Sequence, residues 1–193
     1  FTILIPIFND WESLEKLLKK NNDNIKKIKE AQFDCVIIND CSTIKKLKIK
    51  IPSQINSIRI INMSKNKGHA RCNAFGIKYL SNDTDLDYLI LMDGDGEDRP
   101  EEIELLVNKV LNEPNKSVVA KRIKRSEGFL FQMLYIIHKY LTLFTTGKLV
   151  NFGNYSCLIK SDIKKLSIKG SLWSSYSGTF KKNIENYNEV NST

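Results

Sequence analysis

With 193 residues, 41% of them hydrophobic and 27% charged, the chain can bury one full core and is neither a disordered tail nor a fibrous repeat. Thirty Lys and Arg against 22 Asp and Glu give a net charge of +8, which favours anionic partners such as lipid headgroups, nucleotides or nucleic acid and equally fits a lysine-rich composition bias. No run reaches the roughly 18 uninterrupted apolar residues of a bilayer span, and Cys35, Cys41, Cys72 and Cys157 lack the spacing of a zinc site or disulfide framework, so reduced thiols are expected.

Phe1 opens inside an apolar run without an initiator Met, as expected of a piece of a longer chain. Thr2 to Ile7 reads as a strand closed by Asn9 and Asp10, and Trp11, Leu14, Leu17 and Leu18 then repeat at helical spacing. Phe33 to Ile38 is a second strand, ending in Asn39 and Asp40. Ser57 to Asn62 is a third and leads into a helix over Gly68 to Leu80. Tyr88 to Met92 is a fourth strand, followed by an acidic loop and a helix that opens at Pro100 and carries Ile103, Leu106, Val107 and Val110 on its apolar face.

Strands alternating with helices at this spacing predict one α/β domain over residues 1–182, with a mostly parallel central sheet flanked by helices on both faces. The nucleotide-binding part is expected over about 1–120 and an acceptor-side part over about 121–182. Asn9-Asp10, Asn39-Asp40 and Asp93-Gly94-Asp95 all fall at strand carboxyl ends, so one rim gathers them, and ligands collect at that rim.

Ser117 to Ala120 is a further strand, followed by Lys121, Arg122, Lys124 and Arg125. The stretch from Phe129 to Phe144 then carries apolar residues at helical spacing over a broad face, which suits either a helix lying in a membrane interface or a buried or dimer-forming helix. Tyr155 to Ile159 is a short strand candidate, Ser161 or Asp162 to Leu166 a helix, and Trp173 to Phe180 is left unassigned. Residues 183–193 are polar and expected to fray.

Asp93-Gly94-Asp95-Gly96-Glu97-Asp98 places four carboxylates within six residues, with two glycines that let the backbone turn tightly. Like charges this close call for a positive partner, and a hard divalent cation, Mg²⁺ or Mn²⁺, gripping a diphosphate suits the set. An EF-hand loop and a solvated acidic turn are the competing readings. The first conflicts with the strand before the loop and with Pro100 inside it.

Four motifs occur in order: Ile3-Leu4-Ile5-Pro6-Ile7-Phe8-Asn9-Asp10, Val36-Ile37-Ile38-Asn39-Asp40-Cys41-Ser42, Asn66-Lys67-Gly68, and Leu91-Met92-Asp93-Gly94-Asp95-Gly96-Glu97-Asp98-Arg99-Pro100-Glu101. Together, over about residues 2 to 125, they resemble the family 2 glycosyltransferases, most of all the branch of dolichol phosphate and polyprenyl phosphate glycosyltransferases. The resemblance implies a GT-A fold, a nucleoside diphosphate sugar donor, and inversion at the anomeric carbon.

Residue by residue, it implies that Pro6, Phe8 and Asn9 lie beside the nucleotide and that Asp40 contacts its base, with Asn39 in place of the family's first acid. Asn66 and Gly68 precede a helix start that faces the nucleotide, and Arg71, one turn in, reaches phosphate or simply faces solvent. Asp93 and Asp95 match the DxD that holds ribose and metal, and Glu97 takes a metal-ligand position. Asp95, Glu97 and Arg122 are the expected catalytic residues. Arg122 and Arg125 receive an anionic acceptor or are solvated, and Asn154 and Trp173 belong to segments near the acceptor.

A hydroxyl acceptor needs a general base, usually an acid in a second motif well after the DxD, and no Glu-Asp pair appears there, with Glu185 remaining as a candidate base. That absence, the basic loop and the broad apolar helix favour a polyprenyl phosphate acceptor, with the chain attached peripherally at the cytoplasmic face of a membrane and no nucleic-acid partner. Transfer to a saccharide hydroxyl in surface polysaccharide synthesis is the alternative, as is a non-catalytic anion-binding relative.

Overall fold

The computed structural model describes residues 1–29, 31–45, 49–122 and 151–192. Seven strands form one sheet: β1 (Thr2–Ile7), β2 (Phe33–Asn39), β3 (Ile55–Asn62), β4 (Tyr88–Leu91), β5 (Ser117–Arg122), β6 (Ser156–Ile159) and β7 (Tyr187–Ser192), in the order β3-β2-β1-β4-β6-β5-β7. The pairs β1–β2, β2–β3, β1–β4 and β5–β7 are parallel, whereas β6 runs antiparallel to both β4 and β5. The sheet is therefore mostly parallel with one reversed strand, as expected of a GT-A fold.

Helices α1 (Trp11–Ile25), α2 (His69–Leu80), α3 (Ile103–Asn112), α4 (Lys160–Ser167) and α5 (Tyr176–Asn183) cover both faces. Alternation along each strand sorts side chains between two apolar layers. Ile3, Ile5, Cys35, Ile37 and Ile90 join the layer under α1 and α3. Leu4, Val36, Ile38, Leu89 and Leu91 join the layer under α2, α4 and α5. Gly76 permits close packing of α2 on the sheet, because a Cβ there would stand 2.5 Å from the Leu4 Cδ1.

Two expectations change. The tail expected to fray over 183–193 is ordered in its described part: Tyr187–Ser192 forms the edge strand β7, in register with Ser117–Arg122. Glu189 and Asn191 are exposed at this edge, and Tyr187 packs edge-to-face with Phe180 with ring centroids 5.2 Å apart, a tertiary contact that composition does not announce. The helix opening at Pro100 begins as a single 3₁₀ turn, Pro100–Glu102, before α3 proper. The helix expected over Phe129 to Phe144 lies outside the described residues, and among those described no helix is long and apolar enough to cross a membrane.

From β1 the chain steps outward to β2 and β3, then crosses back to place β4 on the other side of β1. The switch point between β1 and β4 opens a crevice at the strands' carboxyl ends, where ligands bind in open α/β sheets.

Candidate donor-binding site

A cavity of about 350 Å³ occupies that crevice. Pro6, Ile7, Phe8 and Asp10 line it from the exit of β1, Asp40 from β2, His69 and Cys72 from the first turn of α2, and Asp93, Gly94 and Asp95 from the exit of β4. Four carboxylates thus share its wall with one imidazole and a half-exposed phenyl ring.

The β1 exit is fixed by Asn9, whose backbone is left-handed at φ 57°, a conformation Asn tolerates better than most residues. Its Oδ1 accepts from the Thr43 N–H at 2.7 Å and the Ile44 N–H at 3.0 Å, stapling the β1 loop to the loop after β2. The Asp10 Oδ1 accepts from the Ser13 N–H at 3.2 Å and caps α1. Phe8, left 47% exposed, offers an apolar wall on the open side.

Asp40 is 3% exposed, and both of its oxygens are engaged by backbone: Oδ1 accepts from the Lys67 N–H at 2.7 Å and Oδ2 from the Gly68 N–H at 2.8 Å. Gly68, at φ 87°, is the N-cap of α2, so this carboxylate aims the helix start at the cavity. Burial, followed by the neighbouring Asp40, pushes the Cys72 thiol up to about 12, so it lines the cavity as a neutral group.

Asn39 turns away from the cavity. Its Oδ1 accepts from the Ser42 N–H at 3.1 Å, and its Nδ2 donates to the Asn62 Oδ1 at 2.8 Å, tying β2 to the end of β3. An amide performs both roles, whereas a carboxylate performs only the first.

The acidic loop folds on itself. Asp98, 4% exposed, accepts from the Asp93 N–H at 2.9 Å, and the Asp95 Oδ1 accepts from the Glu97 N–H at 2.9 Å. Gly94 lies so close to β1 that a Cβ would stand 2.7 Å from the Pro6 carbonyl oxygen. Gly96 takes φ 83° to close the turn.

The antiparallel register Tyr88↔Ile159 to Leu91↔Ser156, continued two residues past each strand, sets Asn154 opposite Asp93. The Asn154 Nδ2 accordingly donates to Asp93 Oδ1 at 3.3 Å. From the other side, the His69 Nε2 meets the same Oδ1 at 2.8 Å. That hydrogen bond, followed by the coulombic pull of Asp93, Asp95 and Asp98, raises the His69 pKa above its ordinary value against the opposing effect of burial.

The expected trio of metal ligands is not assembled. Among the described residues no three His, Cys, Asp or Glu side chains converge on one point. Asp93 is held by His69 and Asn154, Asp95 turns back on the Glu97 N–H, and Glu97 does not line the cavity. What the cavity offers is the pair Asp93 and Asp95, and one or two carboxylates completed by phosphate oxygens are a fitting donor set for Mg²⁺ or Mn²⁺.

The remaining residues of the sequence reading divide. Pro6, Phe8, Asp40, Asp93 and Asp95 meet at the cavity, and Asn9 and Gly68 brace its rim. Asn66 and Arg71 are exposed and do not line it. Arg71 lies off the face of α2 that buries Cys72, Asn73, Gly76 and Ile77, which is why one turn of helix carries it outward. Arg122 ends β5, while its side chain and Arg125 lie outside the described residues. Trp173 is 37% exposed. His69 was missed, and its signal was position: it is the first helical residue after Gly68, directed at the rim, where Arg71 drew attention by charge alone.

Residues 2–171 match the family described as Glycosyl transferase family 2. The undecaprenyl-phosphate 4-deoxy-4-formamido-L-arabinose transferase of Proteus mirabilis is 25% identical over 163 residues, covering 83% of this chain and 48% of the relative. That of Photorhabdus laumondii is 28% identical over 165 residues, with 83% and 48% covered. The chain thus spans about half the length of these relatives.

Among solved structures, S. aureus TarS superposes with a TM-score of 0.64 at 12% identity, covering 100% of this chain and 35% of that one. Glucosyl-3-phosphoglycerate synthase from Mycobacterium tuberculosis, in complex with Mn²⁺, uridine diphosphate and glucosyl-3-phosphoglycerate, superposes with a TM-score of 0.59 at 13% identity, covering 98% and 68%. The shared fold is that of GT-A glycosyltransferases.

Proposed function

Because this chain belongs to glycosyl transferase family 2, we propose that it is the donor-binding catalytic part of an inverting glycosyltransferase that moves a sugar from a nucleoside diphosphate to a polyprenyl phosphate at a membrane surface. The observation that carries this reading is the cavity at the β1/β4 switch point, whose lining combines Asp93 and Asp95 with the apolar Pro6 and Phe8. Apolar side chains and a carboxylate pair in one cavity suit a nucleotide, whose base is flat and whose diphosphate is anionic.

Asp93 and Asp95 are the residues that would hold Mg²⁺ or Mn²⁺. Bound there, the cation supplies charge neutralisation for the leaving diphosphate. His69 and Asn154 fix the Asp93 carboxylate, and Asp40 keeps the start of α2 directed at the phosphates. Arg122, at the end of β5, would meet an anionic acceptor.

The acceptor assignment is supported by relatives whose names specify undecaprenyl phosphate. It is also supported by the chemistry: a phosphate oxygen is already anionic and attacks without a general base.

The test is transfer of a labelled sugar from uridine and guanosine diphosphate donors to polyprenyl phosphate in detergent with Mn²⁺, comparing wild type with Asp95→Asn. Label in the lipid, reduced about a hundredfold or more by the substitution, is the expected result. Undiminished transfer by Asp95→Asn, or no label in the lipid while an added saccharide acceptor is labelled, overturns it.

A further inference from the structure

Between Lys160 and Lys182 the sequence carries six lysines and one acid, Asp162, which is buried. The middle of this segment turns outward. Ile168 is 78% exposed and Trp173 37% exposed, whereas Leu172, between them, is 1% exposed and packs into the layer under α2. Leu172 pins the 3₁₀ turn Gly170–Trp173, so the apolar side chains on either side of it are presented by a fixed scaffold. Lys164, Lys165 and Lys169 are exposed beside them.

The turn also has a definite place relative to the cavity. α4 starts at the far end of the sheet, where the Lys160 Nζ donates to the Thr84 carbonyl ahead of β4. The chain then returns: the Tyr176 hydroxyl bonds the Ser156 hydroxyl at 2.7 Å, and Ser156 pairs with Leu91, two residues before Asp93. Tyr176, three residues after the turn, is therefore held beside the strand end that leads into Asp93.

An exposed aliphatic side chain and an exposed Trp in a lysine-rich segment, in which Lys165 has an acid nearby (Asp162 Oδ1 at 3.4 Å), combine the two attractions of a lipid interface, partial insertion at the acyl boundary and attraction to anionic headgroups. A nucleic-acid backbone uses the charge but gains nothing from Ile168. We propose that Ile168 and Trp173, with Lys164, Lys165 and Lys169, dock the chain on an anionic lipid surface and bring the cavity mouth towards the bilayer. This docking face rests on the reading of a lipid-linked acceptor and specifies how the chain meets it.

The experiment is co-sedimentation of the 193-residue chain with vesicles of phosphatidylcholine alone or mixed with phosphatidylglycerol, in the absence of donor and acceptor. Wild type is expected to bind the anionic vesicles selectively. Replacing all three lysines by Gln (K164Q, K165Q and K169Q) weakens that binding on the order of a hundredfold, and Ile168→Glu weakens it about tenfold. Both variants keep the wild-type melting temperature and transfer to polyprenyl phosphate in detergent, where no bilayer is present.

Variants that bind anionic vesicles as well as wild type overturn the proposal, because docking then runs through another part of the chain. So does an Ile168→Glu that dissociates a dimer and leaves vesicle binding intact. Docking that responds as expected in a chain that fails to glycosylate lipid phosphate upholds the surface and removes the acceptor reading instead.

Discussion

The Asp40 Oδ2 accepts from the Gly68 N–H at 2.8 Å, joining the end of β2 to the N-cap of α2. Its other oxygen holds the Lys67 N–H, so one buried carboxylate satisfies two amides at the point where the chain enters the helix. Asp40→Ala leaves both without their partner and is expected to cost about 2–4 kcal/mol in chemical denaturation. Asp40→Asn retains one acceptor and costs about half as much. Equal stability of Asp40→Ala and wild type contradicts this role.

The pair His69 and Asp93 predicts a titration. The hydrogen bond to Asp93 raises the His69 pKa, so the pair's contribution to stability is fully present below the ordinary histidine value of 6.5 and is lost as pH rises through the folded value. NMR titration of the chain's two histidines, with His69→Gln identifying the resonance, should show the His69 midpoint above 6.5. Asp93→Asn should bring it down. A midpoint at or below 6.5 in the wild-type chain contradicts the contact.

Gly94 tests how tightly the acidic loop is seated. A Cβ at this position meets the Pro6 carbonyl oxygen at 2.7 Å, a backbone atom that cannot swing aside. Gly94→Ala therefore pushes the loop off β1, with an expected loss of about 1–3 kcal/mol and weaker nucleotide binding. Gly153→Ala, which meets nothing within 4 Å, is the control and should be near neutral.

The strand β7 supplies the test of the corrected carboxyl end. Ending the chain after Asn186 uncovers the β5 edge and removes Tyr187 from its contacts with Phe180 and Phe152. Loss of about 3 kcal/mol or more and a tendency to aggregate are expected. A frayed tail predicts no change in melting temperature on the same truncation.

The amino-terminal half was readable because its signals are local. Apolar runs such as Leu4-Ile5 and Val36-Ile37-Ile38, each ended by Asn or Asp, marked both the strand and its rim-facing end. Past residue 150 the decisive contacts are tertiary. β7 is polar and gains its place from pairing with β5 and from Tyr187, which no periodicity reveals.

The site divides along the same line. Asp93 and Asp95 were found from an acidic pair in the chain itself, and Asn154 from motif likeness. The roles of Asn154 and His69 depend on a register and a helix start that only the folded chain shows. Sequence proximity to Asp95 does not fix the direction of Glu97: the Gly96 turn sets the Glu97 N–H on the Asp95 carboxylate, and Glu97 is not among the residues lining the cavity.

In the proposed function, the β1/β4 cavity binds a nucleoside diphosphate through Asp93 and Asp95 with a divalent cation. Thermal shift of the wild-type chain with nucleoside diphosphates, with and without Mn²⁺, measures it directly. One base is expected to stabilise the fold, in the presence of Mn²⁺ only, by about 2.7 kcal/mol at a hundredfold excess over Kd, with the effect lost in Asp93→Asn and Asp95→Asn. Stabilisation that ignores Mn²⁺ and survives both substitutions contradicts the account.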